Sequence, residues 1–314
     1  MSFIAVLPDW GLIHASGPDA ETFLHGQLTN DLLSLGPDKA QWSGYCTAKG
    51  RMLAGFLVWR DHADGFYLAT DRSLLAGLVK RLKMFVLRAK VVIDDVSDRY
   101  CALGKWDSGA ADSIAMGVQR LGPTATPTTP AQSATWTIVL PPVDGVPRRL
   151  IWTGADQVTQ TINASGLAIS DATAWTRLMV RAGEAWITAA TQEAYVPQMI
   201  NFDAIDGISF KKGCYPGQEI VARAHYRGAV KRRMYLATVD AAAKAGDILY
   251  ASDLNGQESG SVALAAPAGN QASVSELLAV VQIQSHAAAE IRLGAPDGPL
   301  LRFESLPYAL PDAA

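Results

Sequence analysis

The feature that most constrains the fold is a change in hydrophobic pattern near residue 230. From Lys231 onward, short strand-like segments alternate with turn residues, for example Arg233 to Val239 and Leu277 to Ile283. Short strands at this spacing are typical of a small β-barrel or sandwich. Because the residues before 230 mix helical and strand patterns, we expect an α+β fold that ends in a separate β-domain.

The N-terminal part begins with a strand pattern that runs into a helical one. Leu12 to Ala15 favours a strand, and Gly17 to Glu21 then favours a helix start, with Pro18 in the first turn and acidic residues near the positive end. Apolar residues recur at helical spacing from Phe23 as far as Leu32. We therefore expect a strand followed by an amphipathic helix.

A glycine-containing turn separates two apolar segments. Gln41 to Thr47 and Met52 to Trp59 flank the residues Ala48-Lys49-Gly50-Arg51. Glycine supplies the backbone freedom that a tight turn needs, so this pattern predicts a β-hairpin. Helical patterns follow at three later places, namely Asp71 to about Arg88, Ala155 to Ser165, and Ala172 to Ala182.

Length and composition limit the classes of function. A chain of 314 residues can hold two or three domains. Its 27 basic and 30 acidic residues give a net charge of -3, which provides no overall attraction to nucleic acid. Cys46, Cys101 and Cys214 are too few and too widely spaced for a disulfide framework or a self-contained four-ligand metal site. This cysteine usage fits a reducing compartment.

The first residues lack the basic start, apolar core and cleavage site of a secretion signal. No apolar run approaches the roughly 18 residues that a membrane-spanning helix needs. We expect a soluble, cytoplasmic protein with no membrane partner.

The most informative segment for function is 211–223, Lys-Lys-Gly-Cys-Tyr-Pro-Gly-Gln-Glu-Ile-Val-Ala-Arg. Cys214 lies two residues before Pro216, which can occupy the first turn of a helix. Unpaired helix N–H groups and the two lysines before Gly213 would favour the thiolate form of Cys214. A free cysteine is usually a small buried hydrophobe, but the polar residues around this one indicate exposure and reactivity.

The residues Lys212-Gly213-Cys214-Tyr215-Pro216-Gly217-Gln218-Glu219, continuing to Ala222-Arg223, resemble the signature of the YgfZ-type folate-binding proteins, which are relatives of the glycine-cleavage T-protein. That signature has Thr where this chain has Pro216, a change that stiffens the turn and removes a hydroxyl. The resemblance also covers further segments along nearly the whole chain: Trp10, Cys46 to Arg51, Trp175, Tyr195 to Gln198, Gly207 to Phe210, Arg227-Gly228, Lys231-Arg232 and Leu306 to Tyr308.

The resemblance implies a T-protein-like arrangement of three domains around a central folate-binding hole. The first domain would combine residues 1–40 and 153–230, the second would be an inserted α+β domain at 41–152, and the third a β-barrel at 231–314. Sequence patterns alone would not have indicated this discontinuity.

Trp10 and Trp175 match tryptophans assigned to folate contact in YgfZ-type proteins. A flat pterin ring can stack on an indole. Without the resemblance, core packing would be the better interpretation of each tryptophan.

Basic residues are concentrated in 211–233, where Glu219 is the only acid. Arginine suits bidentate carboxylate contacts, so Arg223 and Arg227 are candidates for the glutamate tail of a folate. A solvated surface explains any single one of these residues equally well. RNA is a weaker alternative, supported by the interleaved Tyr215, Tyr226 and Tyr235, and the net acidity of the chain disfavours it.

The resemblance implies a folate-binding accessory protein for iron–sulfur cluster assembly or repair, acting on cluster-dependent enzymes that include tRNA-modifying ones. Cys214 would be its functional thiol, and tetrahydrofolate or another reduced folate its ligand. One cysteine cannot hold a cluster alone, so an assembly or client protein would share it. Two other functions stay open, a tetrahydrofolate-dependent aminomethyl or one-carbon transferase and an RNA-binding module.

Overall fold

A computed structural model describes residues 1–61, 65–107, 116–121, 135–226, 230–269 and 271–311. Arg227 and Gly228 lie outside the described residues. The backbone divides into two compact units, the first made of residues 1–25, 31–41 and 56–172, and the second of residues 26–30, 42–55 and 173–314. The three-domain boundaries implied by the resemblance stay a prediction.

The strands are numbered in chain order: β1 (Ser2–Val6), β2 (Trp10–Ser16), β3 (Ala40–Cys46), β4 (Met52–Arg60), β5 (Gly65–Asp71), β6 (Val92–Asp95), β7 (Tyr100–Asp107), β8 (Gly117–Leu121), β9 (Thr135–Val143), β10 (Val146–Gly154), β11 (Ala168–Ile169), β12 (Arg232–Val239), β13 (Ile248–Ala251), β14 (Glu258–Ala268), β15 (Gln271–Gln282), β16 (Ile291–Leu293) and β17 (Leu301–Glu304).

The helices are α1 (Ala20–His25), α2 (Leu75–Val86), α3 (Val158–Ser165), α4 (Ala172–Arg181), α5 (Gln218–Tyr226) and α6 (Ile283–Ala288), with short 3-10 helices at Arg72–Leu74, Pro197–Ile200 and Ser252–Leu254. The predicted helices at Asp71 to Arg88, Ala155 to Ser165 and Ala172 to Ala182 are confirmed, with small shifts at their ends. Within the ranges that the structure describes, no helix has the length and apolar composition needed to cross a bilayer.

The first unit contains two sheets. One has the strand order β11-β1-β7-β10-β9-β8, in which β1 pairs parallel with β11 and antiparallel with β7. The other brings the C-terminal half of β4, from Phe56 onward, together with β5, β2 and β6. Antiparallel strands that bury one or both faces explain the long apolar segments of β4 and β5.

A buried aromatic cluster joins these two sheets. Trp136 and Trp152 are cross-strand partners on β9 and β10, and both contact Trp59 of β4, with ring centroids 6.4 and 6.3 Å apart. Trp59 also stacks on Tyr67 of β5 at 5.5 Å. Each such aromatic pair contributes about 0.5 to 1.5 kcal/mol beyond the burial of its area. This cluster is part of the core of the first unit.

The second unit ends in the β-domain that the sequence predicts. Its sheet has the order β16-β13-β14-β15-β12-β17, and apolar side chains from these strands form one buried core. An isolated bridge between Arg292 and Leu300 connects the two edge strands, so the sheet curls back on itself. Bringing the edges together reduces the number of unpaired backbone groups that an open sheet would leave.

The helix expected to continue to Leu32 ends at His25 instead. Residues 26–30 pair with the β3–β4 hairpin, since Leu28 forms a bridge with Tyr45 and the Thr29 amide donates to the Gly44 carbonyl at 2.9 Å. The Thr29 hydroxyl donates to the Gly207 carbonyl at 2.7 Å and accepts from the Gly44 amide. Tertiary pairing therefore overrides the helical spacing of the apolar residues.

Candidate functional site

Cys214 lies on a short loop that precedes α5, and its side chain is exposed. The residues on either side of the Gly213-Cys214 pair, Lys212 and Tyr215, are both buried. The loop is thus anchored at both ends and presents the thiol between the anchors. The expectation that Cys214 is an exposed thiol is confirmed.

Lys212 provides the first anchor. Its ammonium donates a hydrogen bond to the Leu28 carbonyl at 2.6 Å and lies 5.0 Å from the ring centroid of Tyr215. A buried ammonium costs several kcal/mol unless such partners compensate it. Lys212 therefore holds the loop in place, whereas the sequence suggested that it favours the thiolate. Lys211, by contrast, is exposed.

Tyr215 provides the second anchor, and it lies close to Cys46 at the end of β3. Burial, and then the charge of a Cys46 thiolate, raise the pKa of the Tyr215 phenol. Burial also raises the pKa of the Cys46 thiol to about 12. Because the nucleophile is the thiolate, this shift disfavours reaction of Cys46 at neutral pH. Burial raises the pKa of the half-buried Cys101 thiol as well.

The turn after Cys214 packs directly against the tip of the β3–β4 hairpin. Gly217 has φ +81° and Gly50 has φ +69°, a conformation that favours glycine. A β-carbon at Gly217 would collide with the Thr47 carbonyl oxygen and lie 2.7 Å from the Gly50 α-carbon. Gly217 therefore allows a backbone contact that no side chain could accommodate, and Gly50 supplies the positive φ on the hairpin side. They place the predicted hairpin of Lys49 and Arg51 beside the cysteine loop.

The positive φ of Gly217 also sets the start of α5. The helix begins at Gln218, and Pro216 lies in the turn before it, so the expectation that Pro216 occupies the first helical turn is wrong. The Gly217 carbonyl accepts from the amides of Ile220 and Val221 at 3.1 and 3.2 Å. Glu219 is exposed in the first turn, where the positive end of the helix dipole favours an acid.

Buried polar contacts stabilise the position of α5. The Gln198 side-chain amide donates to the Val221 carbonyl at 2.7 Å, and Arg233 donates to the Gln198 carbonyl at 2.9 Å. Arg233 also forms a bidentate ion pair with Asp203, with N–O distances of 2.6 and 2.8 Å. Removing one partner of such a buried pair typically costs about 3 to 5 kcal/mol.

These contacts correct the interpretation of the basic stretch. Lys212 and Arg233 are buried against internal partners and are not available to a ligand carboxylate. Arg223 and Lys231 are exposed. Arg227, the other residue assigned to a folate tail, lies outside the described residues. Within 211–233, Glu219 is the only acid that could oppose these charges. Asp203 lies outside that window and was missed, because ion pairs also form between residues distant in sequence.

The two tryptophans assigned to folate lie in different units. Trp10 begins β2, is 8% exposed, and contacts Trp152 edge-on with ring centroids 6.5 Å apart. Trp175 lies on α4 and is fully buried. Trp10 therefore leaves little surface open and Trp175 leaves none, so contact of either ring with a ligand would need its neighbours to rearrange. Folate contact by either ring stays a prediction.

No group of three or more potential metal ligands occurs in the described parts of the chain. Cys46, Cys101 and Cys214 are free thiols. Sequence reasoning missed the anchoring roles of Lys212 and Gln198. The available signal for these roles was a lysine and a glutamine inside motifs that are otherwise rich in glycine and proline. A long polar side chain in such a motif needs a hydrogen-bond partner if it is buried.

We expect Gly217→Ala to destabilise the second unit strongly, because the new methyl group meets backbone atoms in addition to the unfavourable φ. Gly294→Ala is the matched control: Gly294 has φ +76°, and a β-carbon there meets no atom within 4 Å. The free energy of unfolding of the control should fall only by the cost of the backbone conformation, about 1 to 2 kcal/mol. Urea unfolding of both variants measures the difference, and equal losses would mean that the close backbone contact is not formed.

We expect iodoacetamide to modify Cys214 first in the native protein at neutral pH, because an exposed thiol reacts much faster than a buried one. Peptide mass spectrometry over a time course locates the label. Cys46 should react only after unfolding, since burial raises its pKa to about 12. Early labelling of Cys46 or Cys101 would contradict the arrangement described above.

Comparison with known proteins identifies relatives. No protein-family model matches the chain. The tRNA-modifying protein YgfZ of Pectobacterium carotovorum subsp. carotovorum (strain PC1) is 32% identical over 231 residues, which are 73% of this chain and 68% of the relative. The protein of the same name from Yersinia pseudotuberculosis serotype IB (strain PB1/+) is 35% identical over 231 residues, with the same coverage of both chains.

A solved structure agrees with the fold expected from the sequence. The glycine cleavage system aminomethyltransferase T from Bartonella henselae superposes with a TM-score of 0.69 at 13% sequence identity, covering 98% of this chain and 86% of that one. The predicted T-protein-like α+β fold is confirmed. On the sequence relatives, the chain belongs to the family of the tRNA-modifying protein YgfZ.

Proposed function

We propose that this chain is a folate-binding accessory protein for iron–sulfur cluster assembly or repair, with Cys214 as its functional thiol. Cluster-dependent enzymes, including enzymes that modify tRNA, would depend on it. The observation that carries the proposal is the presentation of Cys214, an exposed thiol on a loop whose two ends are anchored by buried side chains. The name of the sequence relatives, tRNA-modifying protein, supports the link to tRNA.

A presented thiol is suited to shared ligation of a cluster. Such a centre normally takes four protein ligands, and the residues that the structure describes include no group of three potential donors. Cys214 can therefore supply one ligand, and a partner chain or small thiol would supply the others. The thiol would lose its proton to solvent and donate a sulfur lone pair to iron. The same thiolate could instead attack a partner's disulfide, which would form a mixed disulfide and release a thiolate.

The anchors have a distinct task in this mechanism. The Leu28 carbonyl and the Tyr215 ring hold the Lys212 ammonium, and the Gly50–Gly217 contact holds the turn on the other side. Together they limit how far the thiol can move. A ligand atom held in one position needs less ordering when a partner binds.

Folate binding is supported by residues that fit the ligand unequally. Trp10 keeps a small exposed fraction, and a pterin could stack on its indole once its neighbours make room. Arg223 is exposed and could meet a glutamate carboxylate together with Arg227, as the sequence suggests. Trp175 fits only if its packing changes. Bound folate would supply a one-carbon carrier, while the residues of this chain position it.

A second candidate function is favoured by the fold. The matched structure is an aminomethyltransferase, and a tetrahydrofolate-dependent aminomethyl or one-carbon transfer would use the same ligand. That chemistry needs an acid or base held close to the reacting nitrogen, and the sequence offers no motif that assigns one. Formation of methylenetetrahydrofolate from tetrahydrofolate and an aminomethyl donor would establish the transferase.

We expect Cys214→Ser to leave the melting temperature unchanged and to abolish function in cells, because an exposed thiol contributes little packing and a hydroxyl cannot replace a thiolate. The measurement is the activity of a cluster-dependent tRNA-modifying enzyme in a strain that carries only the variant. Cys101→Ser, which replaces a half-buried thiol, is the matched control and should keep full activity. Full activity of the Cys214 variant would refute a role for the thiol.

We expect Trp10→Leu to weaken tetrahydrofolate binding by about 1 to 3 kcal/mol, the scale of a lost aromatic stack. Trp106→Leu is the matched control, since Trp106 is also 8% exposed and stacks on Phe3 in the same unit. Isothermal titration calorimetry with both variants separates ligand contact from general loosening. Equal affinities in the two variants would show that Trp10 is an ordinary core residue.

A further inference from the structure

The last turn of α5 carries an aromatic cluster that no role described above uses. We call Phe210, His225 and Tyr226 the α5 aromatic cluster. The rings of Phe210 and His225 stack with centroids 3.7 Å apart and an interplanar angle of 13°. Tyr226 meets both rings edge-on, with centroid distances of 6.3 Å to Phe210 and 4.9 Å to His225.

The cluster is largely open to solvent. Tyr226 is 66% exposed, His225 is exposed, and Phe210 is half-buried. Edge-on packing against the other two rings restricts Tyr226 to few orientations and leaves much of its ring uncovered. An ordered, exposed aromatic ring provides a surface on which another flat group can stack at low entropic cost.

Two exposed cations lie close to the cluster along the chain. Lys211, next to Phe210, and Arg223, three residues before Tyr226 on the same side of the helix, are both exposed. The acid on α5, Glu219, lies seven residues before Tyr226, which is about 10 Å along the helix axis. A ligand at the cluster would therefore meet a π-face and cations together.

We propose that the α5 aromatic cluster binds unpaired nucleotides of RNA, with a base stacked on Tyr226 and phosphates contacted by Arg223 and Lys211. Aromatic rings beside basic side chains are the usual means of binding single-stranded nucleic acid. This inference rests on the proposed function, because it makes RNA a direct partner of the protein that supports its modification. It also changes the membership of the RNA site suggested by the sequence.

Of the three tyrosines that the sequence interleaves with basic residues, only Tyr226 can take part. Tyr215 is buried under Lys212, and Tyr235 stacks on His286 with centroids 3.6 Å apart. Phe210 and His225 replace them as neighbours of Tyr226. A local cation pair beside an exposed ring also answers the objection from net charge, since a binding site responds mainly to charges within about a Debye length.

The surface at the end of α2 differs from the α5 aromatic cluster in composition, and the comparison favours RNA over a protein as the ligand of the cluster. The end of α2 and the residues after it expose aliphatic side chains, Met84 and Leu87, beside Phe85. Exposed aliphatic groups of that kind suit an apolar protein partner. The α5 aromatic cluster presents rings and cations, which suit bases and phosphates.

The test measures the affinity of the full chain for two fluorescein-labelled probes, an oligouridine and unfractionated tRNA, by fluorescence anisotropy. Tyr226→Ala should weaken binding about 5- to 150-fold, which corresponds to the roughly 1 to 3 kcal/mol of one base stack. Tyr226→Phe should keep the wild-type affinity, because the ring face is retained. Arg223→Gln should reduce the slope of log affinity against log salt by about 0.7, as expected for one lost phosphate contact on a single strand.

Phe85→Ala is the matched control. Phe85 is also an exposed aromatic ring on a helix, with the Arg81 guanidinium 5.6 Å from its centroid. Its loss should leave RNA affinity unchanged. Because Tyr226 is mostly exposed, its variants should fold normally, and thermal melting checks this.

Four outcomes would each overturn the proposal. They are no binding of either probe by the wild-type chain, equal affinity of wild type and Tyr226→Ala, a loss in Phe85→Ala as large as that in Tyr226→Ala, and a loss in Tyr226→Phe as large as that in Tyr226→Ala. The folate and thiol roles do not require RNA binding. If the RNA test fails, the proposed function still stands. Conversely, if Cys214 proves to have no function, the RNA affinity is unaffected.

Discussion

The arrangement around Cys214 depends on one backbone contact, in which the turn at Gly217 lies against the hairpin tip from Thr47 to Gly50. The two segments could not approach so closely if Gly217 carried a side chain, and a β-carbon at Gly50 would lie 3.0 Å from the Ile220 side chain. The contact also makes the left-handed conformation of Gly217 the boundary of α5, because the helix cannot begin before it. The position of the hairpin, the start of the helix and the path of the cysteine loop thus follow from the same geometric constraint.

A second constraint is electrostatic and acts from the other side of the loop. An ammonium group enclosed by protein is tolerated only where an oxygen and an aromatic face replace water. Lys212 finds both in the Leu28 carbonyl and Tyr215. Leu28 can occupy that position because α1 ends at His25 and the next residues pair with the hairpin. The early end of a short helix is therefore part of the architecture of the thiol loop.

Much of the fold could be predicted from local patterns. The β3–β4 hairpin, helices α2 to α4 and the C-terminal strands follow from periodicity and turn residues, which depend on neighbours along the chain. Exposure of Cys214 followed from the polar residues around it. The burial of Lys212 and Arg233 could not be predicted in this way, because their partners, Leu28 and Asp203, are set by tertiary packing. For the same reason, counting charges in a sequence window overestimated the basic surface.

The anchored loop has a consequence for the kinetics of encounter. A thiol on a flexible segment samples many positions, and a partner must wait for the reactive one or select it from a small population. Here folding has already fixed the residues on both sides of Cys214, so the fraction of molecules with the sulfur in place is set before any partner arrives. A transient complex at this loop can then be weak while reaction at the sulfur remains efficient.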